Sequence, residues 1–258
     1  MNPTRYDLES MARQAGEILR AGYGKHIQIS HKGTIDLVTE IDRRSEQYLL
    51  GEINRRYPNH HIMSEESGEI PGEECCLWYI DPLDGTVNYA HQVPVFTVSI
   101  AYQQDGVLQL GVVYDPLRDE LFSAERGKGA TLNSEEISVS KTTLLDRSLL
   151  STGFAYDIRT HPETNLDHFA RFSLRCQGIR RLGSAALDLC YVACGRFEGF
   201  WELRLNAWDI AAGALIAEQA GALVTDIHGN PDYMAQPQSI LAANPTLHDA
   251  MLHVLHDD

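Results

Sequence analysis

Twelve residues, Trp78-Tyr79-Ile80-Asp81-Pro82-Leu83-Asp84-Gly85-Thr86-Val87-Asn88-Tyr89, constrain this chain more than any other stretch. An apolar run that ends in Asp, then Pro, then a second Asp before Gly-Thr reads as a strand that stops and presents two carboxylates beyond its end. Pro cannot donate to a sheet ladder and biases Asp81 toward extended backbone, so Pro82 is expected to force the stop. Gly85 would let the backbone approach a ligand closely. Thr86 can open a helix whose amides attract anions. Carboxylates for a hard cation and amides for a phosphate would then lie side by side. The same fragment taken alone also describes an acidic surface turn, so its weight comes from the rest of the chain.

At 258 residues the chain can bury a large core, as one domain or two sharing a core. Its formal charge of −15 argues against nucleic acid or an anionic membrane as partner and suits a protein that gathers cations. Neither a spanning segment nor an apolar leader is visible, so the expected location is the cytoplasm. The five cysteines, Cys75, Cys76, Cys176, Cys190 and Cys194, are odd in number and lack C-x-x-C spacing. Neither a disulfide framework nor a zinc site is expected from them.

Leu8, Met11, Ala12, Ala15, Ile18 and Leu19 recur at helical spacing, predicting a helix over about 4–21 that Gly22 and Gly24 end. A polar loop with Lys32 follows, then a second helix carrying Ile41, Tyr48, Leu49 and Ile53, with Asp42 in its first turns, where the helix dipole favours an acid. Residues 62–64 read as a strand running into Glu65 and Glu66. Adjacent strand residues face opposite ways, so unless the chain bends only one of this pair can hold an ion, with the other as its helper. Beyond the central stretch, 95–102, 107–114 and 120–124 are strand-like, with Gln104-Asp105-Gly106 as a hairpin turn, giving an antiparallel meander.

After about residue 141 strands and helices alternate. Strands are expected at 149–152, 178–182, 199–203, 222–225 and 239–243. Helices are expected near 162–174, at 185–193 and 209–220, and around Leu247, Met251 and Leu255. The expected fold is α/β: a layered αβαβα sandwich of two packed sheets in two subdomains, 1–140 with most of the acids and 141–258.

Four separated segments agree with one family: Asp36-Leu37-Val38-Thr39-Glu40-Ile41-Asp42, Ser64-Glu65-Glu66-Ser67, residues 81–89, and Trp208-Asp209-Ile210-Ala211-Ala212-Gly213. In order and separation the chain resembles the inositol monophosphatases, magnesium-dependent, lithium-sensitive phosphomonoesterases. The resemblance implies that Glu65, Asp81, the Leu83 carbonyl, Asp84 and Asp209 hold two or three Mg²⁺ ions. It implies catalytic roles for Thr86, Asp42 and Glu66, with the amides of Gly85 and Thr86 on the phosphate. Gly183, Ser184, Ala185 and Glu202 would meet the alcohol side of a small phosphorylated polyol, and Lys32 would lie on a loop closing over the metals. A homodimer is implied as well.

The residue chemistry agrees. Mg²⁺ takes oxygen ligands, one or two carboxylates plus substrate phosphate, and these acids come without His or Cys. Two carboxylates about 4 Å apart repel by about 4 kcal/mol at an effective dielectric of about 20, so gathering four of them demands cations. Thr86 is too weak a base alone, but with Asp42 as acceptor it can orient an attacking water. Myo-inositol monophosphate is the expected substrate. Relatives acting on 3′-phosphoadenosine phosphate, histidinol phosphate or fructose bisphosphate share the metal core, and a regulatory, protein-binding role is the reading from another class.

Overall fold

The computed structural model describes residues 2–25, 29–31 and 37–256, with the side chains of 29 and 31 left aside. The first half runs α1 (Arg5–Gly22), β1 (Ile29–His31), β2 (Leu37–Thr39), α2 (Glu40–Arg56), β3 (His60–Ser64), β4 (Gly68–Ile70), β5 (Glu73–Asp84), α3 (Thr86–Ala90), β6 (Thr97–Gln104), β7 (Val107–Asp115), β8 (Glu120–Glu125), β9 (Ala130–Leu132) and β10 (Glu135–Glu136). The second half runs β11 (Leu149–Thr152), α4 (Leu166–Ser173), β12 (Gly178–Arg180), α5 (Ala185–Ala193), β13 (Gly199–Leu205), α6 (Ala207–Gln219), β14 (Leu223–Thr225), β15 (Gln238–Ala243) and α7 (Pro245–His256).

Five layers result. An eight-stranded sheet, ordered β10-β9-β8-β7-β6-β5-β3-β4, is antiparallel except where β3 runs parallel to β5. Its outer face packs Trp78, Ile80, Ile100 and Val112 against Leu8, Met11, Ala15 and Leu19 of α1 and Leu49 and Ile53 of α2. Its inner face, with Tyr79, Ala101, Val113 and Phe122, packs on α5 and α6. Those two helices are apolar nearly all round because each is covered on both sides. Beyond them lies a five-stranded sheet, β12-β11-β13-β15-β14, whose Phe200, Ile240 and Ala242 face inward. Trp201, Leu241 and Ala243, one residue out of phase, meet Phe172 of α4 and Leu247 and Met251 of α7 on the far side. The αβαβα order expected from the sequence is the order found.

The main correction concerns Pro82. β5 does not stop there; it continues to Asp84, and its pairing with β6 skips from Asp81↔Ser99 to Asp84↔Thr97. Three steps on β5 against two on β6 are a β-bulge, and the residue without an amide proton sits inside it. The bulge decides where the acids point. In a regular strand residues 81 and 84 would face opposite sides. With one residue inserted, Leu83 joins the outer core beside Ile80, while Asp84 joins Asp81 on the inner face, where it meets the start of α5.

Two smaller expectations shift. The helix near 162–174 begins only at Leu166, because the Asn165 side chain is committed elsewhere: its amide donates to Thr152 Oγ1 (2.7 Å) and the Gly153 carbonyl (2.8 Å), and its oxygen accepts from Trp201 Nε1 (2.7 Å). The strand at 178–182 ends at Arg180, leaving Leu182 and Gly183 to turn toward α5. The hairpin at Asp105-Gly106 is present, both residues at positive φ (50° and 79°).

Candidate active site

The acids come together where the inner face of β5 meets the first turns of α5 and α6. Asp81 is 2% exposed, and its carboxyl is held well above the usual range by burial and then by the neighbouring charges of Glu65, Asp84 and Asp209. Its Oδ1 accepts the Leu83 amide (3.0 Å), a bond made inside the bulge. Asp84, 8% exposed, is raised to about 6 by burial, although it accepts Ser184 Oγ (2.6 Å) and the Ala186 amide (2.9 Å). Segments about a hundred residues apart are thus joined through one carboxylate.

Glu65 and Glu66 occupy the turn between β3 and β4, so strand alternation does not apply and the chain bends as two neighbouring acids require. Glu65 shares a hydrogen bond with Asp81. The turn is clamped by Glu46 of α2, whose carboxylate accepts Ser64 Oγ (2.5 Å), the Ser67 amide (2.9 Å) and Ser67 Oγ (2.7 Å). Ser45, its neighbour, donates to the Pro82 carbonyl (2.8 Å) and pins the bulge. Sequence reading missed both. A signal existed: Ser45 and Glu46 fall on the buried stripe of α2 with Ile41, Leu49 and Ile53, where an acid without a task would be costly.

Asp42 and Asp209 occupy the same local position on different helices, the third residue, where a carboxylate reaches back to cap the helix start. Asp42 Oδ2 accepts the Thr39 amide (2.9 Å) and hydroxyl (2.5 Å), leaving Oδ1 for the Thr86 hydroxyl (3.0 Å). Burial raises the Asp42 carboxyl. Asp209 Oδ2 accepts the Asn206 amide (2.7 Å). The Thr86 hydroxyl also stands 3.0 Å from the Leu83 carbonyl, so two acceptors compete for its one proton.

Gly85 caps the five-residue α3 at φ 96°, and a Cβ there would fall 2.9 Å from the Val95 carbonyl and 3.2 Å from that of Gly183. Asn88 ties the same region across the sheets by donating to the carbonyls of Val95 (2.9 Å) and Leu182 (2.8 Å). An open cleft over the acids is lined by Gly85, Gly183, Ser184, Ala185 and Glu202. Glu202 is buried and raised to about 8, chiefly by desolvation and then by Asp209. The Ser184 hydroxyl, on the same wall, gives its proton to Asp84. Tyr156, overlooked in the sequence, also lines the cleft, and its hydroxyl is raised by desolvation and then by the charges of Glu65, Asp209, Asp84 and Asp81. Lys32 and Asp36 lie outside the described residues.

A hard divalent cation fits this donor set. Every candidate ligand is an oxygen, and the strongest influences on Asp81 all oppose its ionisation, which is the condition a cation relieves. Among the described residues, the only three His, Cys, Asp or Glu side chains with donor atoms all within 4.8 Å of one another are Glu73, Cys75 and Cys76.

Residues 3–257 match the model of the inositol monophosphatase family. The chain belongs to that family. Among its relatives, the Synechocystis inositol-1-monophosphatase is 45% identical over 258 residues, covering 96% of this chain and 90% of the relative. The Nus factor SuhB of Escherichia coli K12 is 42% identical over 250 residues, covering 96% and 93%. Among solved structures of the family, extragenic suppressor protein suhB from Bartonella henselae superposes with a TM-score of 0.92 at 38% identity, covering 98% of both chains. The inositol monophosphatase from Anabaena gives 0.88 at 44% identity, covering 97% of this chain and 94% of that one.

Proposed function

We propose that this chain is a Mg²⁺-dependent phosphomonoesterase whose principal substrate is myo-inositol monophosphate. The observation that carries the reading is the meeting of Glu65, Asp84 and Asp209 around a buried Asp81, beside a Thr86–Asp42 hydrogen bond. Glu65, Asp81, Asp84, Asp209 and the Leu83 carbonyl would hold the ions, and Glu66 would support Glu65. Bound Mg²⁺ supplies charge neutralisation at phosphorus and a more acidic water. The chain's own part is positioning. Thr86, donating to Asp42, turns its oxygen lone pairs outward to accept a proton from a water and aim it; the Gly85 and Thr86 amides are the donors for phosphate oxygens. Glu202, on the cleft wall with Gly183 and Ala185, accepts hydrogen bonds from a polyol. Release of inorganic phosphate from a panel of inositol, sugar and nucleoside monophosphates, with Mg²⁺ and with EDTA, tests this. Turnover of the inositol ester that survives complete chelation, or a preference for 3′-phosphoadenosine phosphate, histidinol phosphate or fructose bisphosphate, would refute it. A homodimer is proposed with it.

A second role is favoured by the names of several relatives, Nus factor SuhB. They bear against the charge-based exclusion of a nucleic-acid partner, and a net charge of −15 says nothing against a protein one. Pull-down with Asp84→Asn separates the two roles, since a partner retained after hydrolysis is lost marks an independent function.

A further inference from the structure

The opposite end of β5 from Asp81 carries a second cluster of ligand-capable side chains. Between His60↔Glu73 and His61↔Leu77 the pairing of β3 with β5 takes one step on β3 and four on β5, so residues 74–76 have no partner on that side. Their pairing with β6 persists, at Cys76↔Gln104. Freed from flat pleating on one edge, Cys75 and Cys76 bring their sulfurs to 3.2 Å, and the Glu73 carboxylate joins them with all three donor atoms within 4.8 Å. Gly72 fixes the approach, because a Cβ there would lie 2.4 Å from the His60 carbonyl carbon.

A second observation points to the same place. Tyr102 is 1% exposed, and its hydroxyl, which has no oxygen or nitrogen partner, lies against the Cys76 sulfur. Trp78 pairs with Tyr102 and Cys76 with Gln104, so Cys76 is the diagonal neighbour of Tyr102 on one face of the sheet, and after burial its sulfur is the largest influence on the phenol. A thiol is a poor acceptor. A metal-bound thiolate is a good one, and an outer hydrogen bond to a ligand sulfur is what such sites commonly contain.

We propose that Glu73, Cys75 and Cys76 form a binding site for a thiophilic divalent cation of the Zn²⁺ type, separate from the carboxylate cluster. Two thiolates, one carboxylate and a water make a tetrahedral set, and Zn–S bonds of about 2.3 Å put the two sulfurs about 3.8 Å apart, a small opening from 3.2 Å. Each ion displaces two thiol protons to solvent with no change of oxidation state. Cys75 and Glu73 are exposed, which leaves an entry path, and six steps along the strand, about 20 Å, separate Cys75 from Asp81. The absence of C-x-x-C spacing concealed this site in the sequence, since adjacent strand residues would normally face apart.

The test is a titration of the intact protein with Cd²⁺ in the presence of Mg²⁺, following thiolate-to-metal charge-transfer absorption. The expected band saturates at one ion per chain. It weakens sharply in Cys75→Ser, and its apparent affinity drops about tenfold in Glu73→Gln and in Tyr102→Phe. Cys75 is exposed, so its serine variant folds even if a change at buried Cys76 does not. Zn²⁺ should raise the melting temperature of the native chain and not that of Cys75→Ser. No band, or one unchanged in Cys75→Ser and therefore arising at Cys176, Cys190 or Cys194, overturns the proposal.

Discussion

The Thr86 hydroxyl holds one proton between two acceptors at 3.0 Å, Asp42 Oδ1 and the Leu83 carbonyl. Under the proposed function, donation to Asp42 would free the carbonyl to act as a ligand, so a single proton would link the water-orienting group to the metal ligands. Thr86→Ala is expected to lower kcat by about 10²-fold or more with little change in Mg²⁺ affinity, while Thr86→Ser retains most activity; steady-state kinetics across Mg²⁺ concentrations check both. Glu202 gives a second prediction. Its folded carboxyl is raised from 4.5 to about 8, so the stability it allows is complete below pH 4.5 and is lost as pH climbs through 8. In EDTA the melting temperature should fall over that window, and Glu202→Gln should flatten the part between about pH 6 and 8; an unaltered slope would contradict the assignment. Residues of this kind were legible to different degrees. Asp81, Asp84 and Asp209 stand out because charged groups abut apolar runs. Glu46 and Tyr156 are ordinary letters in an ordinary helix and loop, and only packing gives them a task.

At the scale of elements, the bulge at Pro82 and the turn at Glu65 do the positioning, and α2 holds both through Ser45 and Glu46. Deleting Pro82 would leave Asp81 and Asp84 two residues apart on the inner face but flatten the bulge, removing the carbonyl that Ser45 holds and the Leu83 amide bond to Asp81, and so displacing the Leu83 carbonyl. The expected outcome is a folded chain with no measurable hydrolysis, checked by circular dichroism alongside phosphate release. Glu46→Gln keeps the volume but weakens three charge-assisted hydrogen bonds, and Mg²⁺ affinity should fall by about 10- to 100-fold in calorimetric titration. Most elements could be read from pattern: α1 because one face is buried and the other is not, and the β6–β7–β8 meander because runs of β-formers are separated by turn residues, although both faces of its strands are buried. The bulge could not. Proline has the same local meaning at a strand's end and at its irregularity, and pairing with Thr97 and Ser99 settles which occurs.

For the molecule as a whole, the gathered acids oppose folding until a cation balances them. Mg²⁺ at about 100 times its Kd should add about 2.7 kcal/mol of stability by mass action. Asp81→Asn should melt higher than the native chain in EDTA, because one buried charge is gone, yet show a smaller rise on adding Mg²⁺; differential scanning calorimetry reads both. The layer order was legible because antiparallel and alternating α/β patterns occupy separate halves of the chain. The way the halves lock was not: Asp84 with Ser184 and Ala186, and Asn88 with Leu182, are contacts across some hundred positions that no local pattern encodes. A consequence follows for biosynthesis. A nascent chain that has emerged only as far as α4 already displays Glu65, Asp81 and Asp84, but lacks the α5 turn that seats Asp84 and the α6 turn that brings Asp209. Ribosome-bound chains that stop short of α6 are therefore expected to be inert, and hydrolysis can begin only after Asp209, at about four-fifths of the polypeptide, has emerged.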